Sequence, residues 1–174
     1  MLVFTLVASR GWSKPAPPRP ALSAPIAIDP ARPTAKEAPS RPVFTGRWKL
    51  DLSRSVMGKF PGQPKARTDS IDQRPREIVQ RLYLVLASGR DTTVYRYRPD
   101  AEPTMNRVGT QDITSTVTWE QDVLHLVSKT KLLVFDMTLD ECWRLSAKRD
   151  TLVMTRSVKS PMWNGEQRLV FVPE

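Results

Sequence analysis

The chain has one cysteine, one histidine and seven glycines among its 174 residues. A lone cysteine excludes a disulfide framework. One cysteine with one histidine cannot supply a zinc site of those residues within one chain, so no metal site is expected. No run of about 18 apolar residues occurs, so no segment reads as a bilayer-crossing helix. There is no phosphate-binding glycine loop, no Gly-x-Ser-x-Gly and no His-Glu-x-x-His. Neither an enzyme nor a cofactor is expected from these absences. Helical periodicity is scarce as well, because no 3.6-residue apolar stripe runs beyond two turns.

Proline is plentiful but uneven. Nine of the 16 prolines precede residue 43: Pro15, Pro17, Pro18, Pro20, Pro25, Pro30, Pro33, Pro39 and Pro42. At that density the chain lacks the donors for helix or sheet, so 1–42 is expected to be an apolar start followed by a disordered or polyproline-like linker, with the folded domain over 43–174. Met1–Ala8 has the length of a signal-peptide core, and Val7-Ala8-Ser9 resembles a cleavage site, although no basic residue precedes the run. It reads either as part of an export signal or as an ordinary apolar end. Export is the expectation, giving a secreted or periplasmic protein of a bacterial envelope. No cysteine follows the run to carry a lipid anchor. Six of the 27 basic and two of the 18 acidic residues lie in the leader, so the net charge of +9 is shared between leader and domain.

Beyond residue 42 the dominant period is two. Leu82, Leu84 and Leu86 alternate with Tyr83 and Val85; Ile113, Val117 and Trp119 alternate with threonines; Leu139, Trp143 and Leu145 alternate with Asp140, Cys142 and Arg144. This is the half-buried strand pattern. Eight or nine strands are predicted near 44–51, 67–73, 76–87, 91–98, 110–120, 122–131, 136–146, 151–159 and 166–173, with irregular loops at 54–66 and 99–109. Short polar turns at 88–91, 120–122 and 147–150 join them as hairpins. The apolar stretch Leu132-Leu133-Val134-Phe135 is either continuous strand or an apolar loop tip. Trp119 and Trp143 each precede a polar turn with Asp and then an alternating strand, a weak internal repeat that suits an antiparallel meander. Such a meander closes on itself as a barrel, which removes its edges; a Greek-key sandwich is the alternative.

The string Phe44-Thr45-Gly46-Arg47-Trp48-Lys49-Leu50 resembles the Gly-x-Trp opening of lipocalin and fatty-acid-binding barrels, the calycin group. Its continuation through Asp51-Leu52-Ser53-Arg54-Ser55 and the turn Trp119–Leu124 resemble uncharacterised secreted bacterial lipocalin-like proteins. The resemblance covers 43–174. It implies an all-β, up-and-down barrel whose interior takes a small apolar molecule. It also implies that Trp48 closes one barrel end beneath an arginine, Arg168 first and Arg156 second, a contact worth on the order of 1 kcal/mol.

Alternation places Leu82, Leu84, Tyr95, Tyr97, Val117, Trp119, Leu126, Leu139, Trp143 and Met154 inside, lining either a ligand site or a packed core. Glu141 shares their side, where it pairs with a basic ligand or an arginine, whereas Asp140 and Cys142 face away. Asp69 and Asp72 form a second carboxylate pair. His125 faces opposite to Leu124 and Leu126 and reads as solvent-facing or hydrogen-bonded rather than catalytic; Cys142 reads as an unreactive thiol. Phe135, Met162 and Trp163 fall on loops. Arg96 and Arg98 alternate with Tyr95 and Tyr97, a pattern that would offer nucleic acid a basic face with stacking rings, but basic residues are scattered and no specific nucleic-acid partner is expected. Small-molecule binding by a monomer leads. A solid barrel acting through its surface on a protein or an anionic envelope comes second, and polyanion binding third.

Overall fold

The computed structural model describes residues 41–174 except 60–62, 133 and 163. The apolar start and nearly all of the proline-rich leader, together with Trp163, lie outside the described residues. The structure is all-β, a ten-stranded antiparallel meander. Its strands are β1 (Gly46–Leu50), β2 (Ala66–Arg74), β3 (Glu77–Leu86), β4 (Gly89–Tyr97), β5 (Thr104–Val108), β6 (Gln111–Glu120), β7 (Val123–Leu132), β8 (Phe135–Leu145), β9 (Leu152–Lys159) and β10 (Asn164–Pro173). Strands consecutive in sequence pair with each other except β4 with β5, and β1 also pairs with β10, Trp48 lying opposite Pro173 and Leu50 opposite Phe171. Among the described residues β4 and β5 have no ladder between them, so the barrel is nearly closed.

The extra strand, β5, lies in the segment expected to be a loop. Its pattern is inverted: Met105 points out at 69% exposure while Asn106 is buried. A polar residue facing inward gives no hydrophobic alternation for a sequence reading to detect. Asn106 instead bridges the gap in the wall. Its amide donates to the Arg96 carbonyl (2.9 Å) and its oxygen accepts from the Arg96 N–H (2.7 Å). One side chain thereby reproduces the pair of bonds that a strand neighbour would make.

The glycine of the Gly-x-Trp opening has a backbone cause. Gly46 sits at φ +150°, which L side chains rarely adopt, while a Cβ there would only touch Trp48 Nε1 at 3.4 Å. The indole folds back and donates to the Phe44 carbonyl (2.8 Å). Phe44, just ahead of β1, is thereby held in the barrel end. It stacks on Trp119 (5.8 Å between centroids, 9°) and meets Trp143 edge-on (5.7 Å, 89°), with Tyr97 against the same indole (6.2 Å, 87°). The expected pairing of Trp48 with Arg168 does not form. Residues 166, 168 and 170 occupy the outer face of β10, and Arg168 is exposed there and donates to the Arg54 carbonyl (3.3 Å). The guanidinium at this barrel end is that of Arg41, 5.4 Å from the Trp119 ring and 2.7 Å from Asp100.

After β1 the chain makes a single 3-10 turn, Leu52–Arg54, whose N–H groups at 53 and 54 are capped by Asp51. It rejoins β10 through a bridge between Val56 and Arg168. At the β7–β8 hairpin Leu132 pairs with Phe135, so the chain turns between them, with Val134 79% exposed; Leu133 lies outside the described residues. Phe135 opens β8, and Met162 stands exposed in the β9–β10 turn.

Phe44 is fully buried, and its loss leaves a cavity among three aromatic rings. Phe44→Ala should destabilise the fold by about 3–5 kcal/mol. Urea unfolding should show a lowered midpoint with an unchanged slope.

Candidate ligand cavity

Ten strands enclose more space than side chains of this size fill, since barrel diameter grows with strand number and eight strands leave little room. Above the aromatic end the interior holds a cavity of about 320 Å³. Its walls are apolar toward the open end, where Leu82, Leu84, Leu86, Ile113, Met137 and Leu139 face inward. Met57, Gln63 and Pro64 from the β1–β2 connection complete one side. An open groove of about 860 Å³ adjoins it, sharing Gln111, Thr130 and Met137.

The floor of the cavity is charged yet balanced. Arg67, 5% exposed, makes a two-pronged pair with the fully buried Asp69 (2.7 Å for both bonds). Residues 67 and 69 share the inner face of β2, so the pair lies along one strand. Gln80 of β3 donates to the same Asp69 (2.7 Å) and accepts from the Tyr97 hydroxyl (3.3 Å). Across the barrel Glu141 accepts from the Trp143 indole and pairs with Arg156, its register partner on β9. Tyr95 stacks on Tyr97 (5.9 Å, 4°) above the floor, and the Arg67 guanidinium lies 5.1 Å from the Phe171 ring.

These groups perturb one another. Burial pushes the Glu141 carboxyl up, but Arg156, the indole N–H and Arg67 outweigh it and hold the group below its ordinary range. Burial opposes the charge on Arg67, yet Asp69 and Glu141 keep it charged and raise its pKa. Burial, then the Glu141 charge, drives the Tyr97 hydroxyl well up; burial also raises Tyr95. The floor therefore pairs two arginines with two acidic residues beside two phenols, so its formal charges balance.

Of the residues expected inside, Leu82, Leu84, Tyr95, Tyr97, Leu126, Leu139 and Glu141 line the cavity. Val117, Trp119, Trp143 and Met154 belong to the hydrophobic core instead. Glu141 pairs with an arginine, one of the two partners foreseen for it. Asp69 and Asp72 do not form a pair: Asp69 points inward to Arg67, whereas Asp72 bonds Arg74 outside (2.9 Å). The tyrosines beside Arg96 and Arg98 turn inward while the arginines stay exposed, so β4 offers nucleic acid no stacking platform. Arg67, Gln80 and Arg156 were missed as inner residues because polar side chains at inward positions break the apolar alternation. Their register, two residues from Asp69, Leu82 and Met154, was the available signal.

No family model matches the chain, and no curated relative matches it. Solved structures match its shape. An abundant heat soluble (SAHS) protein from Ramazzottius varieornatus superposes with a TM-score of 0.56 at 10% identity, over 75% of this chain and 95% of that one. The zebrafish ileal bile acid-binding protein, complexed with cholic acid, gives 0.50 at 11% identity, over 75% and 98%. The fold is a calycin-like barrel. At such identities the likeness concerns the fold alone, and the calycin-like barrel of this chain carries its own polar floor.

Two outcomes follow from the geometry. Glu141→Gln leaves buried guanidinium charge unmatched and should cost about 3–5 kcal/mol at neutral pH. A carboxylate whose folded pKa is depressed contributes stability that is present above its unfolded value, near 4.5, and is lost as pH falls through the folded value. The gap in unfolding free energy between wild type and Glu141→Gln should therefore narrow below about pH 4.5. Asn106→Ala strips two backbone groups of Arg96 of their partner, at about 1–3 kcal/mol for each group left unsatisfied. Amide hydrogen exchange should quicken in β4 and β5 while the β7–β8 hairpin keeps its protection.

Proposed function

We propose that this chain is a non-enzymatic binding protein that holds a small amphipathic molecule inside its barrel. The observation that carries this reading is the cavity of about 320 Å³, at the lower end of the range for small-molecule sites, with an apolar wall and a few convergent polar groups. A hollow interior speaks against a solid barrel acting only through its surface. The chain's one histidine and one cysteine lie on the outer face of β7 and β8 and do not line the cavity, which supports binding rather than catalysis. The bound bile acid of the zebrafish neighbour supports a small ligand with a largely apolar body. The apolar start and proline-rich leader support export to a bacterial envelope.

The floor narrows the ligand further. Both guanidiniums are already matched by carboxylates, so a ligand carboxylate would lose its hydration without meeting net positive charge. A neutral head, such as a hydroxyl, ester or amide, meets the Tyr95 hydroxyl and the hydroxyl of Ser128 on β7, both of which line the cavity, at no such cost. The preferred ligand has an apolar body and an uncharged polar head.

Titration of the full chain with a medium-chain alcohol and the fatty acid of equal length, followed by tryptophan fluorescence, tests this. One alcohol molecule should bind per chain, about tenfold more tightly than the acid, a difference of about 1.4 kcal/mol. Leu84→Trp, which fills the cavity, should abolish binding while the circular dichroism spectrum is retained. Saturation by neither compound, or unchanged binding in Leu84→Trp, overturns the cavity reading. Tighter binding of the acid overturns the neutral-head assignment alone.

A further inference from the structure

The chain's single histidine and single cysteine meet on the outside of the barrel. His125 on β7 and Cys142 on β8 are directly opposite in the antiparallel ladder. Asp140, two residues before Cys142, shares its face. A ring nitrogen of His125, an Asp140 carboxylate oxygen and Cys142 Sγ all lie within 4.8 Å of one another. The Nε2–Oδ1 distance is 2.8 Å.

A second observation concerns the far side of the ring. His125 Nδ1 lies 2.9 Å from Glu120 Oε1. A carboxylate bonded to the distal ring nitrogen is the usual support of a metal-bound histidine, because it orients the imidazole and leaves the other nitrogen for the ion. The strands that present these donors are held by full ladders to β6 and β9, so the backbone geometry is rigid. The His125 side chain keeps 23% exposure and Asp140 49%, so an ion reaches them from solvent.

We propose that His125, Asp140 and Cys142 form a binding site for a zinc-class divalent cation, with Glu120 as the positioning residue. The donor set of one imidazole, one carboxylate and one thiolate suits a borderline-soft ion that takes four ligands, and water completes the fourth position. The ion replaces the proton shared between Nε2 and Asp140 and the proton on the thiol. Both protons pass to solvent, three metal–ligand bonds form, and no electron changes hands. Two carboxylates and a thiolate against a divalent ion leave one negative charge, which the nearby Arg144 offsets. Histidine and cysteine alone would supply two ligands, and the sheet adds the carboxylates. The ion would link β7 to β8 on the face opposite the Leu126–Glu141 pair of the cavity wall.

The test uses the full chain with its thiol reduced, titrated with cobalt(II) and then zinc(II). One cobalt ion should bind per chain with a sulfur-to-metal charge-transfer band, and zinc should displace it. Cys142→Ser should remove the band, and His125→Gln should weaken binding at least tenfold. Glu120→Gln should keep the band but weaken binding about tenfold, as loss of an outer support does. In the wild-type protein zinc should also protect Cys142 from alkylation by iodoacetamide, a measurement that needs no variant. Absence of saturable one-to-one binding, a cobalt spectrum without the sulfur band, unchanged affinity in both His125→Gln and Cys142→Ser, or no protection from alkylation overturns the proposal.

Discussion

A guanidinium inside a barrel must be matched, because an unpaired buried charge is far more costly than the pair is favourable. Arg67 is almost wholly buried, and Asp69 answers it from the same strand face. Glu141 and Arg156 repeat the arrangement across the β8–β9 ladder. Around these two pairs the other polar inner residues take their places. Gln80 satisfies Asp69 and receives Tyr97, and the Trp143 indole completes Glu141. The floor is thereby fixed in position and in charge. What remains above it is an apolar chamber whose polar end is neutral overall, and the choice of ligand follows from that balance.

Closure of the wall is the second requirement. The two ends of the domain meet as β1 and β10, and the Glu174 N–H donates to the Arg47 carbonyl (3.0 Å), with the Arg47 guanidinium 2.6 Å from the Glu174 carboxylate. One seam stays without a ladder, between β4 and β5, and a single buried asparagine spans it. A ladder is a cooperative row of bonds, whereas a single side chain opens by one rotamer change. The seam is thus the part of the wall best suited to breathe. The aromatic cluster of Phe44, Trp119, Trp143 and Tyr97 packs one barrel end.

The all-β class, the meander, its hairpins and most inner residues were legible because period-two alternation reports directly on which face is buried. Leu82, Leu84, Val117, Leu126 and Leu139 follow from it without further help. β5 was not legible, since Asn106 faces inward and Met105 outward. The floor was only partly legible. Glu141 stood out because it shares a side with Leu139 and Trp143, but Arg67, Gln80 and Arg156 carry no local mark of burial. The Trp48–Arg168 pair, expected by resemblance, fails because β10 turns Arg168 outward and Arg41 comes to the aromatic end instead.

Local order was therefore set by the chain alone: strand period, turn residues, and a glycine at position 46 where the backbone takes a positive φ. Those properties depend on residues a few positions apart. Tertiary structure decided the count of strands that share one barrel, and hence whether the interior is filled or hollow. It also decided which charges meet inside, and that the only histidine and the only cysteine face each other across β7 and β8. These contacts join residues distant along the chain, and register between strands, rather than any short run of sequence, brings them together.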